Sequence, residues 1–161
     1  QGHKEVGIAQ MLKVLAAERD RATSGRWNAN YAVLVGEAYR KAGQTVEGLN
    51  VATEALAAAQ RTECCYYEAE LHRIKGELLL GQVVPDEEEA EGCFQKALEV
   101  ARSQSAKSLE LRAAMSLGRL WQRWGRREEA RKLLSEIYGW FTEGFDTADL
   151  KAAKALLEEL A

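Results

Sequence analysis

The feature that most constrains this fold is an internal repeat of about 40 residues. Four similar helix-like segments begin at Gly7, Gly48, Ala90 and Ala130, with spacings of 41, 42 and 40 residues. A second series, half a repeat away, is marked by Gly36, Gly76 and Gly118. A repeat of this length indicates stacked units, because a single unit cannot bury its apolar face alone.

Each repeat is predicted to contain two amphipathic helices. The 161 residues include one proline, and proline disrupts both helices and central strands. Good helix formers dominate the composition, and no segment alternates apolar and polar residues as a strand would. Apolar residues recur at spacings of three and four, as in Tyr31, Leu34, Val35, Ala38 and Tyr39. The sequence therefore predicts an all-α fold.

The repeat divides the chain into one domain, residues 1–161, made of hairpins. We predict the second helix of a truncated hairpin over 4–24, hairpins over 27–61, 64–103 and 106–141, and a capping helix over 146–161. Turns are expected at Gly43 and Gly125, and Asp86 with Glu89 forms a helix-start signature. Since the first helix has no partner, the chain is expected to begin in mid-repeat.

Two hairpins resemble the tetratricopeptide pattern, W-x2-L-G-x2-Y followed by A-x3-F. The matching residues are Ala32, Val35, Gly36, Tyr39 and Gly43, and then Ala114, Leu117, Gly118, Trp121 and Gly125. The period of 40–42 exceeds the family's usual value of about 34, and the leading Trp and closing Pro are absent. The resemblance implies a right-handed α-α superhelix, a tetratricopeptide-like solenoid, of about eight helices.

Three longer stretches, residues 67–80, 106–114 and 138–150, carry a narrower resemblance. They are similar to the C-terminal region of bacterial multidomain signalling proteins. In those proteins an adenylate/guanylate cyclase or DNA-binding domain precedes a predicted NTPase and helical repeats. The resemblance implies a cytoplasmic regulatory or scaffolding tail. It places no enzyme chemistry in these residues, and the sequence contains no phosphate-binding G-x-x-x-x-G-K-[ST] motif.

The resemblance also implies that the first helix of each hairpin lines a concave groove. By helical spacing, the groove-facing residues are Asn30, Val33, Glu37, Arg40, Glu70, Arg73, Glu77, Leu80, Arg112, Met115, Arg119 and Gln122. This mixture of charged and apolar side chains suits a peptide, a partner helix or another domain of the same parent chain. The alternative is an ordinary solvated helix face with local ion pairs such as Arg73 and Glu77.

Catalytic, metal and cofactor sites are not expected. Glu37, Glu70 and Glu77 lack the desolvated pocket that would make them an acid–base group. The three cysteines, Cys64, Cys65 and Cys93, do not form a zinc-ligand pattern with His72. Their odd number argues against a secreted disulfide scaffold and favours a reducing cytoplasm. Cys93 and His72 are expected to be packing residues.

Partners other than a protein or peptide in the groove are also alternatives. The net charge of −3 gives no general attraction to nucleic acid or anionic membrane, and no apolar run is long enough to span a bilayer. The segment 100–132 is basic and could associate with nucleic acid, although a solvated face or an acidic partner is favoured. An effector-sensing domain of a transcriptional activator is another alternative. Self-association is expected if the first helix exposes Ile8, Met11, Leu12 and Leu15.

Aromatic residues precede the capping helix. Trp140, Phe141 and Phe145 are expected to seal the end of the repeat stack beneath that helix. The polar residues of the capping helix would then cover the end of the stack.

Overall fold

The computed structural model describes residue 10 and residues 29–62 and 67–161. The last two ranges contain seven α-helices: α1 Ala29–Ala42, α2 Thr45–Thr62, α3 Glu68–Leu80, α4 Glu87–Ser103, α5 Lys107–Arg123, α6 Arg127–Tyr138 and α7 Ala148–Glu159. These ranges contain no strand, which confirms the all-α prediction. About eight helices were predicted and seven are described, because the predicted helix over 4–24 lies outside the described residues.

Contacts between helices follow the order of the chain. Each of the seven helices packs against the next one, and α1, α3, α5 and α7 also pack in a row, each against the next. The described even-numbered helices do not contact one another. Successive helical hairpins are therefore stacked side by side, and each hairpin is supported by its neighbours alone.

The helix boundaries agree with the repeat read from the sequence. The odd helices α1, α3 and α5 begin at Ala29, Glu68 and Lys107, and the even helices α2, α4 and α6 begin at Thr45, Glu87 and Arg127. Both series repeat at close to 40 residues. The side chain of Asp86 accepts a 2.9 Å hydrogen bond from the backbone N–H of Glu89, which confirms the predicted helix start.

The predicted turns at Gly43 and Gly125 are present and have positive φ angles of 71° and 77°. The backbone N–H of the residue after each glycine bonds back to the last turn of the helix, from Gln44 to Tyr39 at 3.0 Å and from Arg126 to Trp121 at 2.8 Å. Glycine is favoured at such a C-terminal cap because it has no Cβ to clash.

Small residues let the helices approach closely. A Cβ atom added to Gly76 of α3 would lie 2.5 Å from Cε1 of Phe94 in α4. One added to Gly48 of α2 would lie 2.6 Å from Cδ2 of Leu78. Both distances are shorter than van der Waals contact, so a side chain at either position would force the helices apart. Gly48 and Gly76 both stand at marked repeat positions, and the packing at each leaves no space for a side chain.

The apolar core is continuous from α3 to α7. Its largest fully buried side chains are Phe94, Leu111, Leu117, Leu120, Leu134 and Leu160. A separate described cluster joins the first hairpin to α3 through Ala32, Ala55, Leu56 and Leu71. Each buried Leu or Phe side chain contributes roughly 2–3 kcal/mol of transfer free energy. Packing between neighbouring hairpins therefore supplies most of the cohesion.

The aromatic residues before α7 differ from their expected placement. Phe141 is half-buried against the core, but Trp140 is 59% exposed and Phe145 is 47% exposed. The expectation that all three would seal the stack was wrong for these two. Residues 139–147 form a surface turn before α7 begins. Trp140 packs edge-on against Phe141 there, with ring centroids 5.3 Å apart, and Lys107 Nζ lies 5.8 Å from the centroid of the Trp140 ring.

Candidate partner-binding surface

Charged residues of α1, α3, α5 and α7 meet on one side of the row of odd-numbered helices. We call this surface the charged face. It consists of Glu37, Arg40, Glu70, Arg73, Glu77, Arg112 and Asp149. Six of these seven residues belong to the predicted groove set. The structure brings them together through ion pairs within and between helices.

Arg73 lies at the centre of the charged face. Its guanidinium nitrogens lie 2.8 Å from Glu70 Oε1, 3.7 Å from Glu77 Oε1 and 3.9 Å from Glu37 Oε2. Its side chain is only 13% exposed. Burial lowers the pKa of Arg73, but the hydrogen bonds to Glu70 and the surrounding carboxylate charges outweigh it and raise the pKa. Arg73 therefore holds three carboxylates on two helices.

Arg112 extends the charged face to the C-terminal helix. Its Nη1 donates a 3.0 Å hydrogen bond to Glu70 Oε1, and its Nε lies 3.2 Å from an oxygen of Asp149. The hydroxyl of Ser116, one turn further along α5, donates a 2.7 Å bond to Glu77 Oε1. Through these contacts α3, α5 and α7 are connected by polar groups as well as by the core.

Glu37 and Arg40 occupy the other end of the charged face. Arg40 donates two hydrogen bonds to the Glu37 carboxylate, 2.9 Å from Nε and 2.7 Å from Nη2. Burial raises the pKa of Glu37, but the bonds from Arg40 and the charges of Arg40 and Arg73 outweigh that effect and lower the pKa. The carboxylate is thus held in its charged form.

Two predicted groove residues are not accessible. Glu70 is only 4% exposed, because Arg73 and Arg112 cover it from two helices. Met115 is 6% exposed and belongs to the core, because α5 is packed between α3 and α7 as well as against both even neighbours. Helical periodicity placed these residues on the correct helices but could not show how deeply a neighbour would cover them.

The other five predicted groove residues differ in how exposed their side chains are. Val33 and Leu80 are half-buried against the apolar clusters, and Gln122 is half-buried. Arg119 is exposed and has no ion pair among the described residues. For Asn30 the structure describes the backbone within α1 but not the side chain. Asp149 and Ser116 complete the polar contacts and were missed, since nothing local in the sequence marks a partner on another helix.

A second polar cluster lies where the second and third hairpins join. Glu110 of α5 is 3% exposed and accepts hydrogen bonds from Arg102 Nε at 2.8 Å and Lys107 Nζ at 2.7 Å. Burial raises the pKa of Glu110, but these two bonds and charges outweigh it and lower the pKa. The turn between α4 and α5 contains Ser105 with a positive φ of 54°. This cluster clamps the end of α4 to the start of α5.

The basic segment is largely neutralised by acidic residues. Glu110 pairs with Arg102 and Lys107, and α4 supplies Glu87 to Arg123 and Glu91 to Arg126. Arg126 also stacks 4.3 Å from the centroid of the Trp121 ring. Within the part of the chain that the structure describes, the basic side chains of this segment without a recorded partner are Arg119, Arg131 and Lys132. Its positive charge is therefore dispersed and mostly compensated.

The cysteine and histidine side chains occupy packing positions where they are described. Cys93 is 7% exposed, and burial raises the pKa of its thiol. Burial likewise lowers the pKa of His72, whose Nε2 lies 3.8 Å from Glu68 Oε1. Cys64 and Cys65 lie outside the described residues. Within the described ranges, no cluster of His, Cys, Asp and Glu is placed to hold a metal ion, and no helix is long and apolar enough to cross a membrane.

Comparison with protein-family models finds no match for this chain, and comparison with curated proteins finds no relative. What the described residues establish is an all-α protein whose antiparallel helical hairpins contact only their neighbours. Its main polar feature is a charged face that joins the odd-numbered helices.

Proposed function

We propose that this chain is a non-catalytic, tetratricopeptide-like interaction module that binds a protein or peptide partner. The observation that carries the proposal is the charged face, on which the ion-paired side chains of Arg40, Arg112 and Asp149 are still 34%, 41% and 42% exposed. Extended surfaces of this kind are what stacked helical repeats use for recognition.

The side chains of the charged face are held in fixed positions before a partner binds. Arg73 and Glu70 are nearly buried and fix the spacing of α1, α3 and α5, so they act as its foundation. Arg40, Arg112 and Asp149 are between one third and one half exposed, so a partner can reach them without unfolding the module. Pre-organised surface groups lower the entropy cost of binding.

Arg119 is the residue of the predicted groove most suited to a direct contact. It lies on α5, one turn beyond Ser116, whose hydroxyl touches Glu77 of the charged face. It is exposed and carries a positive charge that no described carboxylate neutralises. An acidic side chain on the partner is the complementary group. Rim charges of this type influence the association rate and the choice of partner.

The sequence resemblance supplies the biological setting of the proposal. We propose that the module is the regulatory or scaffolding part of a larger bacterial signalling protein, acting in the cytoplasm. Its partner would be another domain of that protein or a separate polypeptide. A nucleic-acid partner is not favoured, because most cations of the basic segment are already paired with carboxylates.

A capture experiment tests the proposal with two matched variants. The module carrying Arg119→Glu is compared with one carrying Arg131→Glu, an exposed and equally unpaired arginine on α6. Each is immobilised and exposed to bacterial lysate and to candidate upstream domains, after circular dichroism has shown native helicity. Arg73 is unsuitable for this test, because its loss would leave carboxylates buried without their partner.

The expected result is a partner retained by the native module and by Arg131→Glu but released by Arg119→Glu. Equal retention by all three proteins would reject the proposal that Arg119 and the adjoining charged face form the binding surface. Loss of capture with both variants would show that net charge, rather than this surface, controls the association.

A further inference from the structure

Exposed apolar side chains collect at the turns within the hairpins. Val46 follows the turn between α1 and α2 and is 63% exposed. Val83 and Val84 lie between α3 and α4 and are 102% and 81% exposed. Trp124 ends α5 and is 37% exposed. Single exposed apolar residues are common on protein surfaces, but these four are half of the eight exposed large apolar side chains among the described residues.

These three turns are neighbours in space. A Cβ atom added to Gly81 would lie 3.1 Å from Cγ2 of Thr45, so the first two turns are in contact. The indole N–H of Trp124 donates a 2.6 Å hydrogen bond to the Glu87 carboxylate at the start of α4. That bond joins the third turn to the second. We call this border, defined by Val46, Val83, Val84 and Trp124, the turn edge.

Within the described ranges, the turn edge has more unpaired carboxylates than unpaired cations. Its cations are engaged by partners within the described chain: Lys41 with Glu37, Arg123 with Glu87, Arg126 with Glu91 and Glu129, and Arg127 with the carbonyl of Glu159. By contrast, Glu47 and Glu88 are exposed carboxylates with no ion pair among the described residues. Asp86 is exposed too, and its side chain only caps α4. Three carboxylates without a described ion pair, those of Glu47, Asp86 and Glu88, thus outnumber the one cation, Arg127, whose described partner is a neutral carbonyl.

We propose that the turn edge is a second docking surface and that its occupant is a basic polypeptide segment carrying aliphatic side chains. Val83 and Val84 provide the main apolar contact, and the partly exposed ring of Trp124 adds to it. Glu47, Asp86 and Glu88 provide the attraction for lysine or arginine. An anionic lipid surface or a nucleic acid would be repelled by the same carboxylates. The proposal concerns a border separate from the charged face, so either surface can fail its test while the other stands.

A pair of labelled peptides tests this inference. One fluorescein-labelled peptide has two leucines flanked by lysines, and its matched control has glutamate in place of each lysine. Binding of both to the full chain is followed by fluorescence anisotropy at low and high salt. The protein variants are Val83→Ser/Val84→Ser and Glu88→Gln. The controls are Glu136→Gln, an exposed carboxylate on α6, and Trp140→Ser, an exposed aromatic residue outside the turn edge.

The expected result is that the lysine peptide binds, that high salt weakens it and that the glutamate peptide does not bind. The double valine variant should weaken binding about tenfold, and Glu88→Gln by a smaller factor, while both controls bind as the native chain does. Failure of the lysine peptide to bind, or equal binding by the double valine variant, would overturn the proposal. So would a native dimer that the double valine variant dissociates, since a second copy would then be the occupant.

Discussion

The turns between hairpins and the turns within hairpins differ in how they use their charged residues. Where the second and third hairpins are joined, Glu110 is buried and holds a cation from each side of the turn. Where helices turn back within a hairpin, valines and carboxylates face the solvent. The same residue type, glutamate, is used at one border as an internal clamp and at the other as a free surface charge.

This difference separates groups that hold the fold from groups available to a partner. A carboxylate with two donors and almost no solvent access is costly to disturb, because its partners lose their bonds as well. An exposed carboxylate beside exposed apolar atoms costs the fold almost nothing if it is removed. The contrast can be tested by substituting equivalent residues at the two borders.

The largest effect is expected at Glu110. Glu110→Ala should lower the free energy of unfolding by about 2 kcal/mol, because Arg102 and Lys107 each lose a charged hydrogen bond. The matched substitution Glu88→Ala at the turn edge should change it by less than about 0.5 kcal/mol. Urea denaturation followed by circular dichroism measures both. Similar losses in the two variants would remove the distinction between the borders.

Substitutions at Ser105 and Gly125, one turn residue from each border, test the turns themselves. Ser105 adopts a positive φ without being glycine, so Ser105→Gly should raise the free energy of unfolding by about 1 kcal/mol. The reverse change, Gly125→Ser, should lower it by about 1 kcal/mol for the same reason. Thermal melts would show shifts of about 2–4 °C in opposite directions. Shifts of the same sign would contradict the steric account.

Acid should reduce the contribution of Glu110 to stability, by a smaller amount than its replacement by alanine does. The pKa of Glu110 is lowered from its ordinary value of 4.5, so its contribution to stability is complete above that value. The contribution is lost as the pH falls through the lowered pKa. The stability difference between the native chain and Glu110→Gln should therefore shrink on acidification below about pH 4.5. A difference that widens on acidification would refute the assignment.

The smallest effect on stability is expected at the valines. Val83→Ser/Val84→Ser removes apolar atoms that are almost fully exposed, so the free energy of unfolding should change by less than about 0.5 kcal/mol. The same urea titration measures it. A loss as large as that of Glu110→Ala would mean that the valines support the fold, and the turn edge would lose its interpretation as a free surface.

Local patterns in the sequence were sufficient for the all-α class and for two of the turns between the described helices. Gly43 and Gly125 gave the turns because their positive φ angles suit glycine, and Asp86 gave a helix start because its side chain caps the backbone. The turn at Ser105 has the same backbone geometry without the glycine that would have marked it. Helical periodicity also placed most charged residues of the candidate surface on a common side.

The contacts between helices could not be read from the same patterns. Arg112 pairs with Glu70 at a distance of 42 positions in the chain, and Ser116 pairs with Glu77 at 39. Such partners depend on how far one hairpin slides along the next, which is decided by packing at close contacts such as Gly76 against Phe94. The burial of Glu70 and Met115 follows from that packing and was therefore missed.

Contacts restricted to neighbouring hairpins also determine how the chain would respond to a mechanical load. Among the described residues this stack has no contact that spans its length, so tension applied at the two ends of residues 29–161 is resisted one interface at a time. Each hairpin of about 40 residues that peels away would release roughly 130 Å of extended chain. The extension recorded in an optical trap would then increase in discrete steps of about that size, one for each hairpin. The module would not unfold in a single event.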